Sequence, residues 1–143
     1  MDGNYLMYNI QNFSQHNFLK LQSSIANSNS VAISIITKPN EVFALSDKWK
    51  DSIQLIIPDD DFTDKTNQLE NILDFINNNL DAKNIYIHCY FGISRSAAIN
   101  LFLREYLNQE VIQDLNRSGF STHNRHIYRG LYNIVHSKFY VSA

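Results

Sequence analysis

The stretch Ile85-Tyr86-Ile87-His88-Cys89-Tyr90-Phe91-Gly92-Ile93-Ser94-Arg95-Ser96 decides the fold. An apolar run ends at Cys89, the only cysteine, and Arg95 follows six positions later. Beyond Ser96 the chain is apolar on most sides of a helical pattern, through Ala97, Ala98, Leu101, Phe102, Leu103 and Leu107. This predicts a strand, a short loop and a buried helix over about residues 96–107. A nucleophile stands at the start of the loop and a cation at its end.

Working outward, Val31-Ala32-Ile33-Ser34-Ile35-Ile36 reads as a strand buried on both faces, and Ile53 to Ile57, closed by Pro58, as a second. Ile85 to Ile87 is the third. Leu6 to Ile10 suits an edge strand, and Phe18, Leu19, Leu21 and Ile25 a helix. Leu69, Ile72, Leu73, Ile76 and Leu80 fall at helical spacing, with Asp64 or Thr66 as the expected cap. Val111, Ile112 and Leu115 suggest a short helix, 116–124 a loop, and Ile127, Tyr128, Leu131, Ile134, Val135 and Phe139 a closing helix. Strands alternating with helices imply an α/β fold: a mostly parallel central sheet of about four to five strands flanked by helices, in one domain over residues 1–143.

The 143 residues suffice for one core, and 44% hydrophobic with 18% charged residues is a globular balance. A formal net charge of −2 gives no basic excess to attract nucleic acid or an anionic membrane. No apolar run approaches the roughly 20 residues of a membrane helix, and no signal peptide is visible at Met1-Asp2-Gly3-Asn4-Tyr5. One cysteine excludes an internal disulfide and points to a reducing compartment, with the cytoplasm as the expected location.

The loop has a definite chemistry. Only a thiolate attacks, and converging N–H groups at a helix N-terminus favour a thiolate and also bind a phosphate dianion. Tyr90, Phe91, Gly92, Ile93, Ser94 and Arg95 can supply such a cradle. Gly92 allows a turn that a side chain would obstruct, and Arg95 can grip two phosphate oxygens in a fork. Ser96 can donate to the Cys89 sulfur, while His88 orients the loop from behind. The set suits phosphoryl transfer to sulfur, a cysteinyl-phosphate and its hydrolysis, with a general acid for the leaving oxygen. The acidic loop Asp59 to Asp64 would reach the same edge of the sheet. A metal is not expected: His88 and Cys89 are adjacent with no second pair nearby. His16, His123, His126 and His136 read as surface or packed residues.

His88-Cys89-x-x-Gly92-x-Ser94-Arg95-Ser96 resembles the Cys-x5-Arg phosphate loop of the cysteine-based protein tyrosine phosphatase superfamily. It is most similar to the small dual-specificity branch, and the order of elements matches that family over nearly the whole chain. The resemblance implies a phosphatase acting on phosphotyrosine and, through a shallow cleft, on phosphoserine and phosphothreonine, with no cofactor and a phosphorylated protein as partner. It also implies an aspartate general acid. Asp59 is favoured by a gapless match of the following helix and by the pair Pro58-Asp59. Asp61 is favoured by the pattern Ile57-Pro58-x-x-Asp61, and Asp60 lies between them. Phe91 stands where the family has a small residue. A late Pro-Asn-x-x-Phe pattern is met only by His123-Asn124 and Ile127, and gives Asn124 a supporting role. The alternatives are a phosphatase of phosphoinositides or RNA 5′-phosphates, or a catalytically weak phosphate-binding module. Residues 90–94 lack the lysines that family members acting on inositol lipids carry.

Overall fold

A computed structural model of the protein describes residues 7–110 and 123–142, with side chains as far as residue 137. Its elements are β1 (Asn9–Ser14), α1 (Gln15–Ile25), β2 (Ser30–Ile36), a 3-10 turn (Pro39–Glu41), β3 (Asp51–Ile56), α2 (Thr66–Asn77), β4 (Asn84–Cys89), α3 (Arg95–Asn108) and α4 (Arg125–Ser142). The strands form one parallel sheet in the order β1-β4-β2-β3. The expected α/β architecture with a parallel sheet is therefore what the chain adopts.

Alternation along the two central strands divides the core. Val31, Ile33 and Ile35 of β2, with Ile85, Ile87 and Cys89 of β4, face α2, α3 and α4, and pack on Ile72, Ile76, Ile99, Leu103, Ile127 and Leu131. Ala32 and Tyr86 face the other way, onto Phe18 of α1 and onto Trp49. The helix after β1 thus covers one face and the helix after β4 the other. Neighbouring parallel strands whose following helices part to opposite faces leave a crevice at their C-terminal ends. Cys89 is the last residue of β4 and lies there.

Several expectations are corrected. The second strand is not buried on both faces: β3 is an edge strand whose residues are mostly half-buried, and only Ile57, just beyond it, is fully enclosed. The first strand runs over 9–14 rather than 6–10, because the polar Asn9, Gln11 and Asn12 pair with β4 along an edge where apolar side chains are not required. α2 stops at Asn77, so Leu80 lies outside it and is 44% exposed. Neither Asp64 nor Thr66 is the N-cap of α2; Lys65 is, while Asp64 accepts bonds from the Thr66 N–H and hydroxyl. The short helix expected at Val111 to Leu115, and most of the loop at 116–124, lie outside the described residues, as does the Phe139 side chain. Among the described residues no helix is long and apolar enough to cross a membrane.

Candidate active site

The strand delivers Cys89 to the floor of the crevice, where it is 1% exposed. Its Sγ accepts from the backbone N–H of Gly92 at 3.3 Å and of Ser96 at 3.4 Å, and lies 3.1 Å from the Ser96 hydroxyl. Ser94 is the N-cap of α3, so the sulfur sits at the positive end of a 14-residue helix. Two backbone donors and a helix N-terminus thus converge on the sulfur.

Gly92 has φ +78°, and a Cβ there would lie 2.3 Å from the Ser14 nitrogen and 2.5 Å from the Phe13 carbonyl carbon. The loop is therefore pressed against the end of β1, and only glycine meets both conditions. Asn12 Nδ2 donates to the Gly92 carbonyl at 2.6 Å, and Asn100 Nδ2 donates to Asn12 Oδ1 at 2.6 Å. The N–H of Gln15 bonds the Tyr90 carbonyl. The edge strand thus clamps the loop from one side.

Arg95 is the first residue of α3 and is 4% exposed. Its Nη1 donates to the Ile57 carbonyl at 2.8 Å and to the Thr37 hydroxyl at 2.9 Å. Its Nε is buried without a partner among the described residues. Burying a guanidinium donor unpaired is costly. A side chain anchored through one nitrogen with a second left open is arranged to receive an anion.

His88 is fully buried behind the loop, stacked on Phe18 with ring centroids 4.5 Å apart. Its Nε2 lies 2.6 Å from Ser34 Oγ, which accepts from Gln54 Nε2 at 3.0 Å. The Ser34 proton is then directed at Nε2, and the ring proton is assigned to Nδ1. Burial lowers the His88 pKa from its ordinary 6.5 to about 4, so the ring is neutral. The ring is thus walled in by Phe18 and Ser34.

The three aspartates before α2 have three different surroundings. Asp59 is exposed, and its Oδ1 accepts from the Ser94 hydroxyl at 3.0 Å and from Asn124 Nδ2 at 2.7 Å. Its carboxylate therefore stands directly against the cradle. Asp60 is bound to Lys65, whose Nζ is 2.8 Å from Oδ1, and to the Thr63 N–H and hydroxyl. Those donors hold its carboxyl well below the usual range, so it stays ionised. These contacts fasten the loop to the start of α2. Asp61 is exposed and makes none of the hydrogen bonds to the cradle that Asp59 makes.

The rim is apolar. Phe91 is 70% and Ile93 55% exposed, and Tyr90 meets Phe91 edge-on at 4.8 Å between ring centroids. Tyr90 and Phe91, with Ser14, Gln15, His16 and Leu19, border a cleft of about 400 Å³. The cradle positions from Tyr90 to Ser96 thus lie together, with Asp59 and Asn124 joined to them. Sequence reasoning missed Thr37, Ser34, Gln54, Asn12 and Asn100. Of these, Asn100 in the apolar part of α3 and Ser34 in an apolar strand carried a local signal; the others become neighbours only through sheet register.

The tyrosine phosphatases share this fold. The structure is similar to that of Tk-PTP in its active form, with TM-score 0.54 and 18% identity over 87% of this chain and 88% of that one. It is also similar to the human tyrosine phosphatase-like serine/threonine/tyrosine-interacting protein, with TM-score 0.56 and 17% identity over 90% and 87%. A glycine-to-alanine mutant form of Tk-PTP gives 0.53 and 18% over 93% and 90%. No family model matches the sequence, and no curated protein matches it at a significant level. At such identities the likeness is one of fold. One neighbour is named only phosphatase-like, so any activity must be argued from the residues of this chain.

Proposed function

We propose that the protein is a phosphoprotein phosphatase of the dual-specificity type, working through a cysteinyl-phosphate. The observation that carries this reading is the Cys89 sulfur held by two backbone N–H groups at the start of α3, with Arg95 anchored beside it and its Nε open. In the first step the thiolate attacks phosphorus in line. The S–P bond forms as the bond to the leaving oxygen breaks, and Asp59 protonates that oxygen. In the second step Asp59 takes a proton from water, which attacks phosphorus and releases phosphate while Ser96 donates to the departing sulfur. Cradle N–H groups and Arg95 hold the charge that spreads over the nonbridging oxygens.

Asp59 is the proposed acid because it alone of the three touches the cradle. Asn124 supports it, and His88 sets the loop from behind. The substrate is a phosphorylated protein side chain. The rim of Tyr90, Phe91 and Ile93 carries no cation for a polyanionic inositol headgroup or an RNA 5′-triphosphate, which disfavours those readings. The test compares turnover of phosphotyrosine and phosphoserine peptides, phosphoinositides and 5′-triphosphorylated RNA by the purified chain. Turnover of phosphopeptides above the others is expected. Preference for lipid or RNA would sink the substrate assignment, and tight phosphopeptide binding without turnover would leave a binding module.

A further inference from the structure

Asn124 makes three connections at once. Its backbone N–H donates to the Ser94 carbonyl at 3.0 Å, its Oδ1 accepts from the Ile127 N–H at 3.0 Å, and its Nδ2 donates to Asp59 Oδ1 at 2.7 Å. The bond from Ile127 is an N-cap for α4 and fixes the amide orientation, since only the oxygen can accept it. The nitrogen therefore faces Asp59 and can only donate. Ser94 Oγ lies 3.0 Å from the same Asp59 oxygen. No donor within the described residues reaches Asp59 Oδ2.

A neutral carboxyl has one oxygen that accepts and one that carries the proton. The carbonyl oxygen is the better acceptor, so an obligate donor on Oδ1 favours the proton on Oδ2. Resting on the reading of Asp59 as the general acid, we infer that Asn124 and Ser94 are positioning residues that select Oδ2 as the oxygen delivering the proton. In the first step the Oδ2–H bond breaks, its electron pair stays on Oδ2, and the proton passes to the leaving oxygen as the P–O bond breaks. Both donors then stabilise the carboxylate that remains. The same asparagine starts α4, so the acid, the cradle and the last helix are latched at one residue.

The test separates this role from helix capping. Asn124→Ser keeps a capping oxygen but cannot reach Asp59; Ser94→Ala leaves the α4 cap untouched. Each is expected to lower kcat on a phosphoserine peptide, whose leaving group needs a proton, by about ten-fold. On p-nitrophenyl phosphate, whose leaving group does not, the loss in kcat should be several-fold smaller than on the phosphoserine peptide. In an Asp59→Ala background neither substitution should lower kcat further. An equal loss on both substrates, or a loss that persists without Asp59, would overturn the positioning role. If Asp59→Ala itself turns over the phosphoserine peptide at the wild-type rate, the assignment of the acid fails instead, and the two failures are told apart.

Discussion

The cradle and the acid loop face each other across the crevice, yet they are built in opposite ways. The cradle has a buried floor, Cys89, Gly92, Arg95 and Ser96, held mainly by backbone: its sulfur, its glycine and the carbonyl that anchors Arg95 are set by where β4, β1 and β3 end. The acid loop is largely exposed and held by side chains, with Asp60 fastened to Lys65 and Asp59 to Ser94 and Asn124. A site that binds a dianion needs fixed dipoles, which a sheet edge and helix start supply. Of the two adjacent aspartates, Asp60 is paired with the cation of buried Lys65, whereas Asp59 meets only the uncharged donors Ser94 and Asn124.

The contrast can be broken first on the cradle side. Arg95→Lys keeps the charge but loses the fork that joins the Ile57 carbonyl to the ligand, and kcat/KM on a phosphotyrosine peptide should fall by about 10³-fold. A loss under about ten-fold would mean that a point charge suffices. The support beneath the cradle should show in acid. His88 is lowered from 6.5 to about 4 by burial, so the folded state binds the proton less readily than the unfolded one. Its contribution is complete above pH 6.5 and is lost as pH falls through about 4, amounting to roughly 3 kcal/mol. Denaturant titrations between pH 7 and 4 should show this loss in the wild type and a much smaller one in His88→Asn. Parallel curves would mean that the ring is not buried neutral.

On the acid side the effects should be smaller and selective. Asp59→Ala should lower kcat on a phosphoserine peptide by about 10²-fold, while Asp61→Ala stays within about two-fold of wild type. The reverse pattern would move the acid to Asp61 and detach Ser94 and Asn124 from catalysis.

The same contrast explains what could be read from the chain alone. Strand, loop and helix from Ile85 to Leu107 were legible because burial writes its period into apolar residues. The cradle followed because its chemistry is contiguous. The edge elements were less legible: β1 is built from Asn9, Gln11 and Asn12, and β3 is only half-buried, so neither carries a full apolar pattern. Three consecutive aspartates look alike in sequence. Asp60 is set apart by the nearby Thr63 and Lys65, but Asp59 by partners distant along the chain: Asn124 lies 65 residues away, and Ser94 lies 35. Thr37 and Asn12 are invisible for the same reason. Thr37, just past the end of β2, and Asn12 of β1 reach the cradle only because the sheet brings their strands beside β4.

The central claim is that Cys89 carries the phosphoryl group. Mixing the protein with a ³²P-labelled phosphotyrosine peptide and quenching in acid should trap label on Cys89. Label should accumulate further if water attack is slowed by Asp59→Ala with an aryl phosphate as donor, and should be absent from Cys89→Ser. Turnover by Cys89→Ser at the wild-type rate, or label on any other residue, would contradict the account.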